Sequence, residues 1–180
     1  MSWWYLLAVA IVAVNAARIR PALPEEGTRR LVLAAGGTAI VLLIGASAIA
    51  WAEPLLELLA ITAETWRIAA GVVALLAGAW VLAFPSRRDE EGLPGHWAAL
   101  APVAFPLILS PELAGFLVLF GATEPASRWL PALVVGLATV PAAAAIEVRR
   151  RGLWMAASRM GGALLIALAI AQIIEGIRDV

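Results

Sequence analysis

The chain contains no cysteine, no lysine and a single histidine, His96, among its 180 residues. Without thiols it cannot form disulfides or thiolate metal sites, and one imidazole cannot build a histidine metal cluster. Charged residues make up only 14% of the chain and their net charge is zero, so no broad basic surface is present to attract nucleic acid. The composition therefore excludes thiol chemistry and histidine-based metal sites, and it argues against a nucleic-acid partner.

Apolar residues are abundant instead. They make up 63% of the sequence, with a mean hydropathy of +0.92, whereas a soluble domain is about 45–50% apolar. A soluble chain of this length could not keep so much apolar surface from water, because much of any small domain remains exposed. The composition therefore predicts that the chain's main partner is the lipid bilayer.

Six apolar segments approach the length of about 20 residues that a transmembrane helix needs. They cover residues 3–17, 31–52, 66–84, 97–122, 130–146 and 153–174. The first is short, which predicts a tilted or broken helix. The fourth contains Pro102, Pro106 and Pro111, which predicts a kinked or discontinuous helix. Residues 54–62 are apolar but flanked by glutamates, which favours a short interfacial helix. The sequence thus predicts an all-α, polytopic membrane protein with about six transmembrane helices.

The arginines are divided unevenly between the two sides of these segments. Ten of the 13 basic residues lie after the first, third or fifth segment, and only Arg67, Arg128 and Arg178 lie on the opposite side. The ten are Arg18, Arg20, Arg29 and Arg30 in the first loop, Arg87 and Arg88 in the second, and Arg149, Arg150, Arg151 and Arg159 in the third. The positive-inside rule then predicts a multi-pass protein of the cytoplasmic (inner) membrane with both termini outside.

A faint internal repeat accompanies this pattern. The third segment opens with the residues Arg67-Ile68-Ala69-Ala70-Gly71, and the last contains the similar run Arg159-Met160-Gly161-Gly162-Ala163. If residues 1–85 and 97–180 are two three-helix repeats joined by a cytoplasmic linker at 86–96, the repeats insert with opposite orientations. Many transporters share this plan and bind substrate between the repeats.

Glycines within the segments favour close helix packing, either within the chain or in a homodimer. They are Gly36, Gly37, Gly71, Gly78, Gly161 and Gly162.

The candidate site centres on Glu112, which lies near the middle of the fourth segment. An ionised carboxylate at the bilayer centre costs at least about 2.5–3.5 kcal/mol, and residues of this kind are usually functional. Ser110, Pro111 and Glu112 together could form a polar site at the middle of the membrane, in which Glu112 takes up and releases a proton. The alternative is that Pro111 only kinks the helix and that Glu112 is a neutral acid bonded to a neighbouring helix.

Four further residues complete the candidate set: Asn15, Arg18, Pro106 and Gln172. Asn15 is the only amide of the first segment and would be the counterpart of the Ser110–Glu112 stretch in the other half. Arg18 could reach inward to pair with Glu112, or simply extend to the membrane surface. Gln172 is expected to form a hydrogen bond between helices.

The sequence resembles the MarC family of integral membrane proteins, which belongs to the wider LysE-type exporter superfamily. The resemblance rests on Arg67-Ile68-Ala69-Ala70-Gly71, on the run from Pro102 to Pro111 (PVAFPLILSP), and on the ending from Arg159 to Ile177. It implies six spans in two related halves and, by superfamily analogy, export of small solutes such as amino acids. The family's Asn-Pro-x-Gly and Gly-Pro-Gly turns read Asn15-Ala16-Ala17-Arg18 and Ser110-Pro111-Glu112 here, so the chain is identified as a divergent member.

The function expected from these features is secondary transport, with export of a small solute and proton coupling through Glu112. The first alternative is a non-transporting membrane scaffold or partner subunit. The second is a flippase-like, lipid-handling protein whose Arg18 and Arg149–Arg151 bind anionic head groups. No catalytic set or phosphate-binding loop is recognisable, so we expect neither an enzyme nor a bound cofactor or metal.

Overall fold

The protein is all-helical in the computed structural model, which describes residues 2–84, 100–147 and 151–180, and no strand occurs in these ranges. The helices are α1 (Trp3–Val14), α2 (Ala16–Ile19), α3 (Gly27–Ala50), α4 (Ala52–Leu58), α5 (Ala63–Ala83), α6 (Pro111–Thr123), α7 (Ala126–Ala145) and α8 (Arg151–Asp179). A 3-10 turn, Arg20–Ala22, follows α2, and a π-helical segment, Leu100–Ile108, precedes α6.

Four helical stretches among the described residues are long and apolar enough to cross a membrane: Trp3–Ala22, Gly27–Ala50, Ala63–Ala83 and Gly152–Asp179. Two further apolar helices, Pro111–Thr123 and Leu130–Ala145, are shorter. Large apolar side chains such as Leu43 and Leu76 are 71% and 64% exposed on the outside of the bundle. A large apolar surface of this kind is typical of a face that meets lipid. The predicted all-helical class is confirmed for the described residues, and the four long apolar helices fit a membrane protein.

Several boundaries differ from those predicted. The first segment, 3–17, is broken, which is one of the two expected forms: α1 ends at Val14, and α2 is a separate short helix that continues to Ile19. Arg29 and Arg30 were predicted to lie in a loop, but they lie in the first turn of α3. The Arg30 N–H donates to the Glu26 carbonyl there at 2.8 Å. The linker predicted at 86–96 lies outside the described residues.

A short helix is present between α3 and α5, as the sequence predicts, although it covers Ala52–Leu58 rather than 54–62. Its buried residues Ala52 and Leu56 pack with Val118 of α6. Leu58 is 82% exposed. The interfacial position expected for this helix stays a prediction.

Among the described helices, α5 and α8 form the most extensive contact. They run antiparallel along it, and we call this contact the α5–α8 seam. A Cβ atom added to Gly78 would lie 2.7 Å from the Gly162 carbonyl oxygen, and one added to Gly71 would lie 3.0 Å from the Ala169 carbonyl oxygen. A Cβ on Gly176 would meet Ile68 at 2.6 Å. These glycines let the two backbones approach closely, so the predicted close-packing role is confirmed within the chain for Gly71, Gly78 and Gly162.

The remaining helices interleave between the two halves of the chain. α1 and α2 pack on α7 and α8, whereas the π-helical segment and α6 pack on α3 and α5. The buried core between them contains Leu6 of α1, Phe116 and Phe120 of α6, and Leu133 and Leu137 of α7. Each half therefore completes its packing with the other half.

Candidate functional site

Asn15 interrupts the helix that starts the chain. Its backbone has φ 43° and ψ 61°, which is the left-handed region, and it separates α1 from α2. Asparagine is among the few non-glycine residues that adopt this conformation readily. The Asn15 N–H donates to the Ile11 carbonyl at 3.1 Å, while its own carbonyl accepts from Arg18 N–H at 2.8 Å. The chain therefore ends one helix and starts another at this residue.

The fourth predicted segment is also interrupted, which confirms the predicted discontinuity. The π-helical segment ends at Ile108, and Ser110, in an extended conformation, begins α6 as its N-cap. The Ser110 Oγ accepts a hydrogen bond from the Leu113 N–H at 3.5 Å. Pro111 occupies the first helical position, where its missing N–H is not needed. Pro111 therefore starts a new helix here rather than kinking a continuous one.

The two interruptions meet through an ion pair. Arg18, in α2, places its Nη1 atom 3.5 Å from Oε1 of Glu112, in the first turn of α6. The Glu112 side chain is only 4% exposed and that of Arg18 is 29% exposed. The pair therefore connects a buried carboxylate to a partly accessible guanidinium. We call Asn15, Arg18, Ser110 and Glu112 the junction.

Helix α8 supports the junction from a third side. The Asn15 side-chain amide donates to the carbonyl of Ser158 at 3.3 Å. A Cβ atom on Gly161 would lie 2.9 Å from Asn15 Nδ2 and 3.0 Å from Cγ. Gly161 thus leaves the space that the asparagine amide occupies, and any larger residue would press against it.

Of the seven predicted site residues, the structure pairs Arg18 with Glu112. Ser110 and Pro111 directly precede Glu112 at the start of α6, and Asn15 precedes α2, which carries Arg18. The structure does not bring Pro106 or Gln172 to the same place. Pro106 lies on an exposed face of the π-helical segment. Gln172 is fully buried and donates from Nε2 to the hydroxyl of Tyr5. Tyr5 lies before Asn15 in the chain, at a distance of about 15 Å along α1.

Two arginines that sequence reasoning assigned only to a positively charged loop have specific partners. The Arg30 Nε donates to the Ala144 carbonyl at 2.6 Å, and the residue is only 5% exposed. Arg20 donates from Nη2 to the Ile146 carbonyl at 3.3 Å and lies 5.9 Å from the Trp154 ring. Both cations bind the carbonyl end of α7, where the helix dipole favours positive charge.

A tryptophan contact near Glu112 was also missed. Trp66 of α5 donates from Nε1 to the Gly115 carbonyl of α6 at 3.1 Å. A Cβ atom on Gly115 would lie 3.3 Å from that of Ala70. The start of α6 is therefore fixed on α5 as well as linked to α2. Only the tryptophan's position near the start of a segment was visible in the sequence, and it suggested an interfacial residue.

The junction contains one carboxylate, one guanidinium, one hydroxyl and one amide, each with a partner within the chain. The described residues bring no three carboxylate or imidazole side chains together that could hold a metal ion. A carboxylate and a guanidinium are therefore paired here across two separate helices.

Comparison of the sequence with protein-family models, with curated proteins and with solved structures finds no match to this chain. The resemblance to the MarC family therefore rests on the quoted motifs alone. Membership of that family, and the transport activity that it implies, stay predictions.

Proposed function

We propose that this protein is a secondary transporter that exports a small solute across the cytoplasmic membrane, and that the junction is its substrate and ion site. The observation that carries the proposal is the Arg18–Glu112 ion pair between two interrupted helices, at 3.5 Å. Charged residues within membrane segments are costly and usually mark substrate or ion pathways. Interrupted helices near the middle of the membrane are likewise typical of transporter binding sites.

An arrangement of six spans in two inverted repeats belongs to the same proposal. In it, α1 with α2 corresponds to the π-helical segment with α6. Helix α3 corresponds to α7, and α5 corresponds to α8. Two pairs of contacts support this correspondence: α1 packs on α7 as the π-helical segment packs on α3, and α2 packs on α8 as α6 packs on α5. The two interruptions, at Asn15 and at Ser110, then occupy equivalent positions.

The positions of the charged residues support an orientation with both termini outside. Arg20 and Arg30 lie together at the carbonyl end of α7. Tyr5 and Gln172 lie at the opposite end of α1 and α8, near the Arg67–Asp179 ion pair at 2.8 Å. If the arginine-rich end faces the cytoplasm, solute would reach the junction from that side, along the partly exposed Arg18.

Proton exchange at Glu112 supplies the coupling in this proposal. When the carboxylate is ionised it holds Arg18, and α2 stays attached to α6. When Glu112 is protonated the attraction is lost, and the two helices can separate to admit or release a solute. A buried ion pair whose two partners lie on different helices is suited to such a change, because its formation and its loss both carry substantial free energy.

The test is proton movement in proteoliposomes containing a pH-sensitive dye and a panel of external amino acids, polyols and inorganic ions. We expect one solute class to drive proton movement with the wild-type protein, and Glu112→Gln to abolish it while the purified variant remains folded. Gly27→Ala is the matched control, because a Cβ atom there meets nothing within 4 Å. A folded Glu112→Gln variant with unchanged solute-driven proton movement would contradict the proposal.

The flippase-like alternative is favoured by one observation. Arg20 lies over Trp154, and its Nε has no hydrogen-bond partner among the described residues. A lipid phosphate could occupy such a position at the membrane surface. Scrambling of a fluorescent anionic lipid in the same vesicles, lost in Arg20→Gln but retained in Glu112→Gln, would favour this alternative. A protein inactive in both assays would favour the scaffold alternative.

A further inference from the structure

A second polar cluster lies at the opposite end of α1 from the junction. Gln172 of α8 is completely buried, and its Nε2 donates to the hydroxyl of Tyr5 in α1. The other amide atom, Oε1, has no hydrogen-bond partner among the residues that the structure describes. Turning the amide over would only exchange the two atoms, leaving a donor unpaired in place of an acceptor. A buried polar atom without a partner costs about 1–3 kcal/mol, so a partner from outside the chain would be stabilising.

The Tyr5 hydroxyl also has a hydrogen atom that takes part in no hydrogen bond among the described residues. Because its oxygen accepts from Gln172, its O–H is free to donate elsewhere, and no described residue takes that hydrogen bond. The pair therefore presents one acceptor and one donor side by side. A hydroxyl group is the simplest complement, since one oxygen atom can donate to the amide and accept from the phenol.

The charges around the pair favour a neutral ligand. Arg67 and Glu175 are close enough for their charges to act on the Tyr5 hydroxyl. The Arg67 guanidinium is held by Asp179 at 2.8 Å, although its Nε has no partner among the described residues. With Arg67 already neutralised by one carboxylate and Glu175 nearby, an anion would be repelled.

We propose that Tyr5 and Gln172 form a second binding site, which takes the hydroxyl group of a small neutral solute. Access is through Tyr5, which is partly exposed, whereas Gln172 is fully buried behind it. The site does not depend on the proposed transport at the junction, because it is tested by binding alone.

The test uses the purified full chain in lauryldimethylamine oxide, a detergent without hydroxyl groups. Ethylene glycol, glycerol and erythritol are titrated in the millimolar range, each beside its fully O-methylated ether, and unfolding is followed by tryptophan fluorescence. We expect at least one hydroxyl probe to raise the unfolding midpoint saturably by about 2–4 °C, with no effect of its ether. Tyr5→Phe and Gln172→Met should each abolish the rise.

Tyr5→Phe removes a single oxygen, so it keeps the comparison valid even if Gln172→Met does not fold. Serine at position 47 provides a control, because Ser47 donates only to the Leu43 carbonyl of its own helix, at 2.9 Å. Ser47→Ala should retain the full response. Absence of a saturable rise with every hydroxyl probe, or a rise that persists in Tyr5→Phe, would overturn the proposal. Either result would leave the proposed transport function untouched.

Discussion

The α5–α8 seam and the junction lie side by side in the same bundle, but they are built in opposite ways. Along the seam, two unbroken helices approach so closely that a Cβ atom at Gly78 would lie 2.7 Å from a backbone oxygen. At the junction, two helices are interrupted, and a buried carboxylate meets a guanidinium across the gap. Small apolar contacts have one favourable arrangement, whereas an ion pair can form or break with protonation. In the proposed transport function, the seam is therefore the rigid scaffold, and the junction is the part that changes conformation.

The largest expected effect comes from separating the ion pair. Arg18→Gln leaves the Glu112 carboxylate, with 4% exposure, without its cation, which should destabilise the fold by about 3–5 kcal/mol. Glu112→Gln should cost less, because Arg18 is 29% exposed and can turn toward water. Chemical unfolding in detergent measures the free energy of unfolding of both variants. A larger loss of stability in Glu112→Gln than in Arg18→Gln would show that the burial of the two side chains has been assigned wrongly.

A smaller effect is expected at the seam. Gly78→Ala forces a methyl group against the Gly162 carbonyl oxygen and Ile166, and overpacking of this kind costs about 1–3 kcal/mol. Gly27→Ala, whose new Cβ atom meets nothing within 4 Å, should have no destabilising effect. The unfolding free energies of the two variants are compared in the same detergent. Equal stability would mean that the seam can separate without cost and is not the rigid part.

The smallest effect concerns two helix caps. Ser110 caps α6 at the junction and Thr62 caps α5, through hydrogen bonds to Leu113 N–H at 3.5 Å and Thr65 N–H at 3.3 Å. Ser110→Ala and Thr62→Ala should each cost about 1 kcal/mol. Only Ser110→Ala should also reduce solute-driven proton movement in proteoliposomes. Similar transport losses in both variants would indicate a general effect of stability rather than a role for the junction.

The sequence predicts the membrane class and one of the two helix interruptions well. Runs of apolar residues are visible in composition, and Pro111 after a serine is a strong signal for the start of a helix. A break in the first segment was expected only as an alternative to a tilt, and its position at a left-handed Asn15 could not be predicted, because nothing local requires that conformation there. The pairing of Arg18 with Glu112 could be suggested but not deduced, since the two residues are 94 positions apart in sequence.

Other contacts could not be read from the sequence at all. Arg30 resembles any arginine at a membrane surface, but it is buried against the carbonyl end of α7, which depends on how α3 and α7 pack. Gln172 forms the expected hydrogen bond between helices, but its partner is Tyr5, 167 residues away. No local pattern could identify that partner, and grouping Gln172 with the junction was not justified. Side chains that cross between interleaved halves depend on the tertiary arrangement, which hydropathy and spacing do not specify.

The most direct test of the junction is a double-mutant cycle on Arg18 and Glu112, with unfolding free energies measured for the wild type, both glutamine variants and the double variant. If the two side chains form an ion pair between the interrupted helices, the effects should be coupled by more than about 1 kcal/mol, with the double variant more stable than the sum predicts. Additivity within about 0.5 kcal/mol would contradict the ion pair and, with it, the proposed site.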